Sequence, residues 1–214
     1  MSGLIVHGRA TSSNVQVVMW AIDELGLDCE RLDVGGAFGG TDTAEYRNLN
    51  PMGLVPVLQD GSVTLFESCA IVRYLAARYG DENIWPRDPS RRAELDQWAE
   101  WAKGTFAKTI IYEIFWTLVR TPKAQRNPDQ LAVSVETAAS LAKMLDSRLS
   151  DGPYLGGNHL SFADLIVGHI LYRYNTLDFE KADTPALDAY YQRLVARSTY
   201  ADHVMIDYSS LQVE

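Results

Sequence analysis

The chain has 214 residues, with 28 acidic and 19 basic side chains, so its formal net charge is 19 − 28 = −9. Apolar residues at 47% and charged residues at 22% are ordinary globular composition and exclude disorder, collagen and coiled coil. The acidic balance argues against a nucleic-acid partner, because phosphate binding needs Lys and Arg to release counterions.

The length allows one large domain or two small ones. Cys29 and Cys69 form no CxxC, so neither a zinc site nor a redox pair is expected, and both read as small buried hydrophobes. MSGLIVHGRATSSN lacks the basic and long apolar regions of a signal peptide. No stretch approaches the ~18 uninterrupted apolar residues of a membrane span. The expectation is a soluble cytoplasmic protein.

LIVH (4–7) is a short β-type run, followed by GRATSSN, a loop ending in good helix N-caps. Val15, Val18, Met19, Ile22 and Leu25 then fall at helical spacing, with Gly26 as the stop. CERLDV (29–34) reads as a second strand, which completes a β-α-β unit. GGAFGGTDTAEY (35–46) has no periodicity and is expected to be a loop. VPVL (55–58) and VTLF (63–66) read as a hairpin with an Asp-Gly turn at Asp60-Gly61. SCAIVRYLAARYG predicts a helix from Ser68, with Ile71, Val72, Leu75 and Tyr79 on one face.

NIWPRDPS (83–90) changes the pattern, and the domain boundary is placed there: 1–81, a linker 82–90, and an all-helical part 91–214. The first lysine, Lys103, falls in that helical part. Residues 91–119 predict a long aromatic helix ended by Thr121-Pro122. A second runs through Leu131–Leu149 and stops at Asp151-Gly152-Pro153. A third starts at Ser161-Phe162-Ala163-Asp164, a capping-box variant with Leu160 as a staple, and a fourth at Thr184-Pro185.

Three features carry chemistry. Thr11-Ser12-Ser13-Asn14 lies between a strand end and a helix start, where hydroxyls either cap the helix or meet an anion drawn to its positive end. Asn50-Pro51-Met52-Gly53-Leu54-Val55-Pro56 puts a proline at the beginning of a strand, usually a trans edge. Glu67-Ser68 marks a second helix N-terminus. His7, His159, His169 and His203 are scattered without metal-ligand spacing and read as structural or surface.

In this order, and with NPMGLVPVLQDG, FESCAIVRYLAARYG and LSFADL in place, nearly the whole chain resembles the soluble glutathione S-transferases. TSSN resembles the serine-type members, near the theta and zeta classes and related bacterial enzymes. The resemblance implies a thioredoxin-like N-terminal domain (β-α-β-β-β-α) followed by a helical-bundle C-terminal domain. It implies glutathione as co-substrate, a small hydrophobic electrophile, no metal and a homodimer.

On the same resemblance, Ser12 aligns with the catalytic serine, and Ser13 or Asn14 substitutes or assists, with a longer-range field from Arg9. Val55 would pair with the cysteinyl part of glutathione across a cis bond to Pro56. Glu67 and Ser68 would hold its γ-glutamyl end. The loop after the second strand usually offers a cation near the glycyl carboxylate. Here it offers only Phe38, Gly39, Gly40 and their neighbours, whose backbone N–H groups can form an anion nest. Tyr112, Phe115 and Trp116 are aromatics of a type that usually fills a core, or else lining for the electrophile. Asp164 reads as folding-related. The alternatives are a glutathione-dependent isomerase, dehalogenase or hydroperoxidase of the same fold, or a non-catalytic glutathione-binding scaffold.

Overall fold

Residues 3–213 are described by the structure, a computed structural model. In β1 (Leu4–His7) the alternate side chains Leu4 and Val6 are buried. α1 (Ser13–Glu24) follows, and β2 (Cys29–Leu32) returns parallel to β1 with Leu4 opposite Cys29. β2 ends two residues earlier than the pattern suggests, because the chain turns away at Gly35, whose φ is +83°.

The stretch 35–46 is not simply a loop. It holds a single tight turn at Gly36–Phe38 and leads into α2 (Ala44–Leu49), capped by Thr43, whose Oγ1 accepts the Tyr46 N–H at 3.2 Å. With Tyr46 its one buried residue, α2 is too short to display a period.

β3 (Val57–Asp60) and β4 (Val63–Phe66) form the expected hairpin. The strand starts at Val57 rather than Val55: Pro56 has no N–H for a ladder, and the Val55–Pro56 bond is cis. The two-residue turn is Gly61-Ser62, with Gly61 taking the left-handed conformation at φ +58°. α3 (Ser68–Tyr79) completes a four-stranded mixed sheet of order β2-β1-β3-β4 with α1 and α3 packed together.

Beyond residues 80–88, α4 (Pro89–Trp101) starts under an Asp88 cap and continues as helix to Arg120 through turns wider than α (Ala102–Phe106 and Lys108–Arg120). The side chains there repeat every fourth residue: Ile111, Phe115 and Val119 are buried, Tyr112, Trp116 and Arg120 exposed. A strict four-residue repeat suits a turn wider than the 3.6 residues of an α-helix. α5 (Pro128–Leu149), α6 (Phe162–Thr176), α7 (Pro185–Val195) and a short α8 (Ser198–His203), which the sequence pattern did not reveal, complete the helical part.

α6 is buried along most of its length and packs on α1, α3 and α4. At its head Asp164 closes the capping box with Ser161. Gly168 is small of necessity, since a Cβ there would stand 2.8 Å from Leu194 and 3.1 Å from Trp20. Trp20 meets Tyr200 edge-on, with ring centroids 4.9 Å apart, so α1 is gripped between α6 and α8. Cys69 lies in this core, while Cys29 is only half-buried, a partial departure from the sequence reading; burial raises both thiol pKa values, that of Cys29 to about 11.

Candidate active site

The loop from β1 to α1 is tied down from three sides. The Gly8 N–H donates to Leu32 O at 2.8 Å, Gln16 Nε2 to Ala10 O at 3.1 Å, and Arg173 Nη2, from α6, to Thr11 O at 2.8 Å. Ser12 then takes the N-cap position of α1 with extended backbone. Its carbonyl accepts the N–H groups of Val15 and Gln16, both at 2.9 Å, but its side chain makes no capping hydrogen bond. Of the two roles the sequence left open, the cap is therefore not filled by this hydroxyl. It remains available at the positive end of a 12-residue helix.

The segment before Pro56 is held just as firmly. The Leu54 carbonyl accepts from Tyr46 OH at 2.8 Å and Asn50 Nδ2 at 2.7 Å, and Asn50 Oδ1 accepts the Met52 N–H at 3.0 Å. Gly53 sits at φ +63°, where a Cβ would stand 2.9 Å from Thr41 O. Val55 is thereby fixed beside Gly8, and among the described residues no turn or loop hydrogen bond engages its N–H or C=O.

Glu67, at φ +69°, is the one non-glycine residue with positive φ among those described, and it sets the chain for Ser68 to open α3. Ser68 is buried, and its Oγ lies 3.4 Å from Asn14 Oδ1. Lys103 Nζ donates to both, at 2.8 Å to Asn14 and 3.4 Å to Ser68. The two helix N-termini thus share a cation from the helical part.

A cavity of about 400 Å³ opens at this junction. Thr11, Ser12, Ser13 and Asn14 line one side, Val55 and Leu54 another, and Gly35 and Gly36 a third. Tyr112, Phe115 and Trp116 form the wall given by the helical part. Of these three, only Phe115 is buried; Tyr112 and Trp116 are 53% and 50% exposed, which favours lining over core.

Pro56, Glu67, Ser68, Phe38, Gly39 and Gly40 stand outside the lining. In the glycine loop the N–H groups of Gly35, Phe38 and Gly39 donate to the loop's own carbonyls, while among the described residues no turn or loop hydrogen bond engages those of Gly36, Ala37 and Gly40. A cation does reach this loop: the Arg9 side chain lies against Gly36, whose Cβ would meet its Cδ and Nε at 3.0 Å. Arg120 and Arg173 also line the cavity, and with Lys103 they are the residues that sequence reasoning missed. Arg120 had a signal, the four-residue step from Tyr112 and Trp116; Arg173 and Lys103 had none. Buried His169 donates its Nδ1–H to the Ile166 carbonyl oxygen at 2.7 Å, and burial pushes its pKa down to about 3, so it stays neutral. Among the described residues no cluster of three His, Cys, Asp or Glu side chains is placed to hold a metal ion, and no helix is long and apolar enough to cross a membrane.

The sequence profile of the glutathione S-transferase N-terminal domain matches residues 6–83, and that of the glutathione S-transferase C-terminal domain matches 108–198. Glutathione S-transferase GstB of Escherichia coli (strain K12) is 34% identical over 208 residues, 96% of this chain and 100% of its own. The chain belongs to the glutathione S-transferases. A crystal structure of the theta class glutathione S-transferase from Xanthomonas axonopodis pv. citri, with glutathione bound, is 40% identical, covers 97% of this chain and 99% of that one, and superposes with a TM-score of 0.90. Glutathione S-transferase 3 of Zea mays is 36% identical over 77% of this chain and 75% of its own. This transferase therefore pairs a thioredoxin-like N-terminal domain with a helical C-terminal domain, as the family does.

Proposed function

We propose that this transferase binds glutathione between Val55 and the Glu67-Ser68 corner and ionises its thiol with the Ser12 hydroxyl for attack on an electrophile held by Tyr112, Phe115 and Trp116. The observation that carries the reading is the Ser12 side chain itself: at a helix N-terminus, on a cavity wall, and without a capping bond. Ser13, 9% exposed, and Asn14, bonded to Lys103, are supports on the same turn.

The energies are adequate. Lowering a thiol from about 8.5 by about two units takes roughly 2.7 kcal/mol. A hydrogen bond to a charged group contributes about 1.5–3 kcal/mol, and a helix N-terminus about 0.3–1 kcal/mol. The γ-glutamyl carboxylate would meet the N–H groups at the start of α3, with Lys103 beside them, and its ammonium the Glu67 carboxylate. Arg9, whose side chain lies against Gly36, would be the cation next to the glycyl end.

The same reading divides the chain into a glutathione-binding domain at 1–81, a linker at 82–90 and a helical domain at 91–214, and makes the molecule a cytoplasmic homodimer. Light scattering at about twice the 23.9 kDa of one chain supports the dimer, and a single-chain mass overturns it. The function is tested on a glutathione-affinity column and a panel of aromatic halides, epoxides and hydroperoxides. Retention with turnover that falls about 100-fold in Ser12→Ala supports it. Retention without turnover on any substrate overturns it in favour of a binder.

A further inference from the structure

The cavity carries charge that a purely apolar electrophile does not need. Arg9, Arg120 and Arg173 line it, and among the described residues no aspartate or glutamate does. None of the three forms an ion pair among the described residues. In a chain of net charge −9, a cavity lined by three arginines with no ion pair among the described residues runs against the average.

The arginines are built in. Arg173 is 3% exposed, with its guanidinium 4.5 Å over the Phe115 ring. One of its Nη atoms holds Thr11 O, while its Nε is buried without a partner among the described residues. Arg9 Nε is buried and unpartnered in the same way. Arg120 lies 5.8 Å over the Trp116 ring at the rim. Burial lowers the pKa of Arg173 to about 10, with a smaller push from Arg9, and that of Arg9 is lowered by burial and then by Arg120. Neighbouring guanidinium groups held together without an anion repel, and a carboxylate accepting from their forks relieves that repulsion. Glutathione would bring one carboxylate to this cavity, its glycyl group, and Arg9 beside Gly36 suffices for it. Arg120 and Arg173, next to the aromatic wall, are left over.

We propose that the electrophile is itself an anion: an aromatic compound bearing a carboxylate, its ring on Tyr112 and Trp116 and its carboxylate on Arg120 and Arg173. This rests on the transferase reading above. For a benzylic halide, the glutathione thiolate attacks the benzylic carbon, a C–S bond forms, the C–Br bond breaks with its electron pair leaving on bromide, and the thiol proton goes to solvent.

The test compares 4-(bromomethyl)benzoate with 4-(bromomethyl)benzamide, which share the reacting carbon, each corrected for its rate with glutathione alone. The expected result is a kcat/KM at least tenfold higher for the acid, a preference lost in Arg120→Gln and partly restored in Arg120→Lys. An amide that reacts as well as the acid, or a preference unchanged in Arg120→Gln, overturns the proposal. Binding of the unreactive 4-methylbenzoate and 4-methylbenzamide, followed by calorimetry, separates the two levels. Tighter binding of the acid, weakening with salt, supports the anionic pocket even if turnover is absent and the transferase reading fails. Equal binding overturns the anionic pocket even if both halides react.

Discussion

Lys103 Nζ stands 2.8 Å from Asn14 Oδ1 and also reaches Ser68 Oγ. One ammonium from the wide-turned helix thereby joins the N-termini of α1 and α3, in a chain whose first 102 residues contain no lysine. The local sequence of residues 1–80 offered hydroxyls and backbone N–H groups to an anion there; the tertiary fold adds a lysine from the helical part. Lys103→Met is expected to raise KM for glutathione about tenfold, equivalent to about 1.4 kcal/mol, with a smaller change in kcat. Initial-rate kinetics at varied glutathione check this, and an unchanged KM would remove Lys103 from the site.

Asn50 and Tyr46 both donate to the Leu54 carbonyl, and so position Val55 without touching the cavity. Asn50→Ala leaves that acceptor with one donor and should cost about 1–3 kcal/mol of stability. It should also raise KM for glutathione more than Tyr46→Phe does, because Asn50 additionally accepts the Met52 N–H. Denaturant melts beside kinetics separate the two effects.

Asp164 is buried and accepts the N–H groups of Leu155 and Ser161, both at 2.8 Å, the Ser161 hydroxyl at 2.7 Å and the Tyr190 hydroxyl at 3.0 Å. With the Gly156 N–H at 3.4 Å, Asp164→Ala strands five donors, and a loss of about 3 kcal/mol or more is expected. For a chain of this size that lowers Tm by roughly 6–12 °C. Calorimetry showing a shift under 2 °C would contradict the assignment of this residue to folding.

Asp60 anchors the β3–β4 hairpin to α3, accepting from Tyr79 OH at 2.6 Å and Tyr74 OH at 2.8 Å, with Arg78 at 3.2 Å. Burial alone would raise its pKa, but the two hydroxyls and Arg78 prevail and lower it. A carboxylate with a lowered folded-state pKa stabilises above its unfolded value, and that contribution disappears as pH falls through the folded one. Wild type should therefore lose its advantage over Asp60→Asn on acidification below about pH 4. Stability curves of the two proteins that stay parallel from pH 7 to pH 3 would refute this.

The sheet, both flanking helices and the long aromatic helix were legible because each carries its own local signal: alternation in LIVH, helical spacing after Val15, an Asp-Gly-Ser turn after Gln59. α2 was hidden because a six-residue helix behind four glycines has one buried side chain and no period to read. Within the cavity, Ser12, Val55 and Trp116 could be named from motifs. Arg173 could not, since it lies 162 positions from the Thr11 carbonyl it holds, and nothing in Leu171–Asn175 marks it as facing a cavity. In the glycine loop the N–H groups of Gly35, Phe38 and Gly39 close on carbonyls within the loop, a local pairing that its glycine-rich sequence does not spell out.

The central claim is that the Ser12 hydroxyl ionises bound glutathione. Ultraviolet thiolate titration of the glutathione complex, wild type against Ser12→Ala, measures it directly. The account predicts a thiol pKa near 6.5 in wild type and about two units higher in the variant. An unchanged pKa in Ser12→Ala, with glutathione still bound, would contradict it.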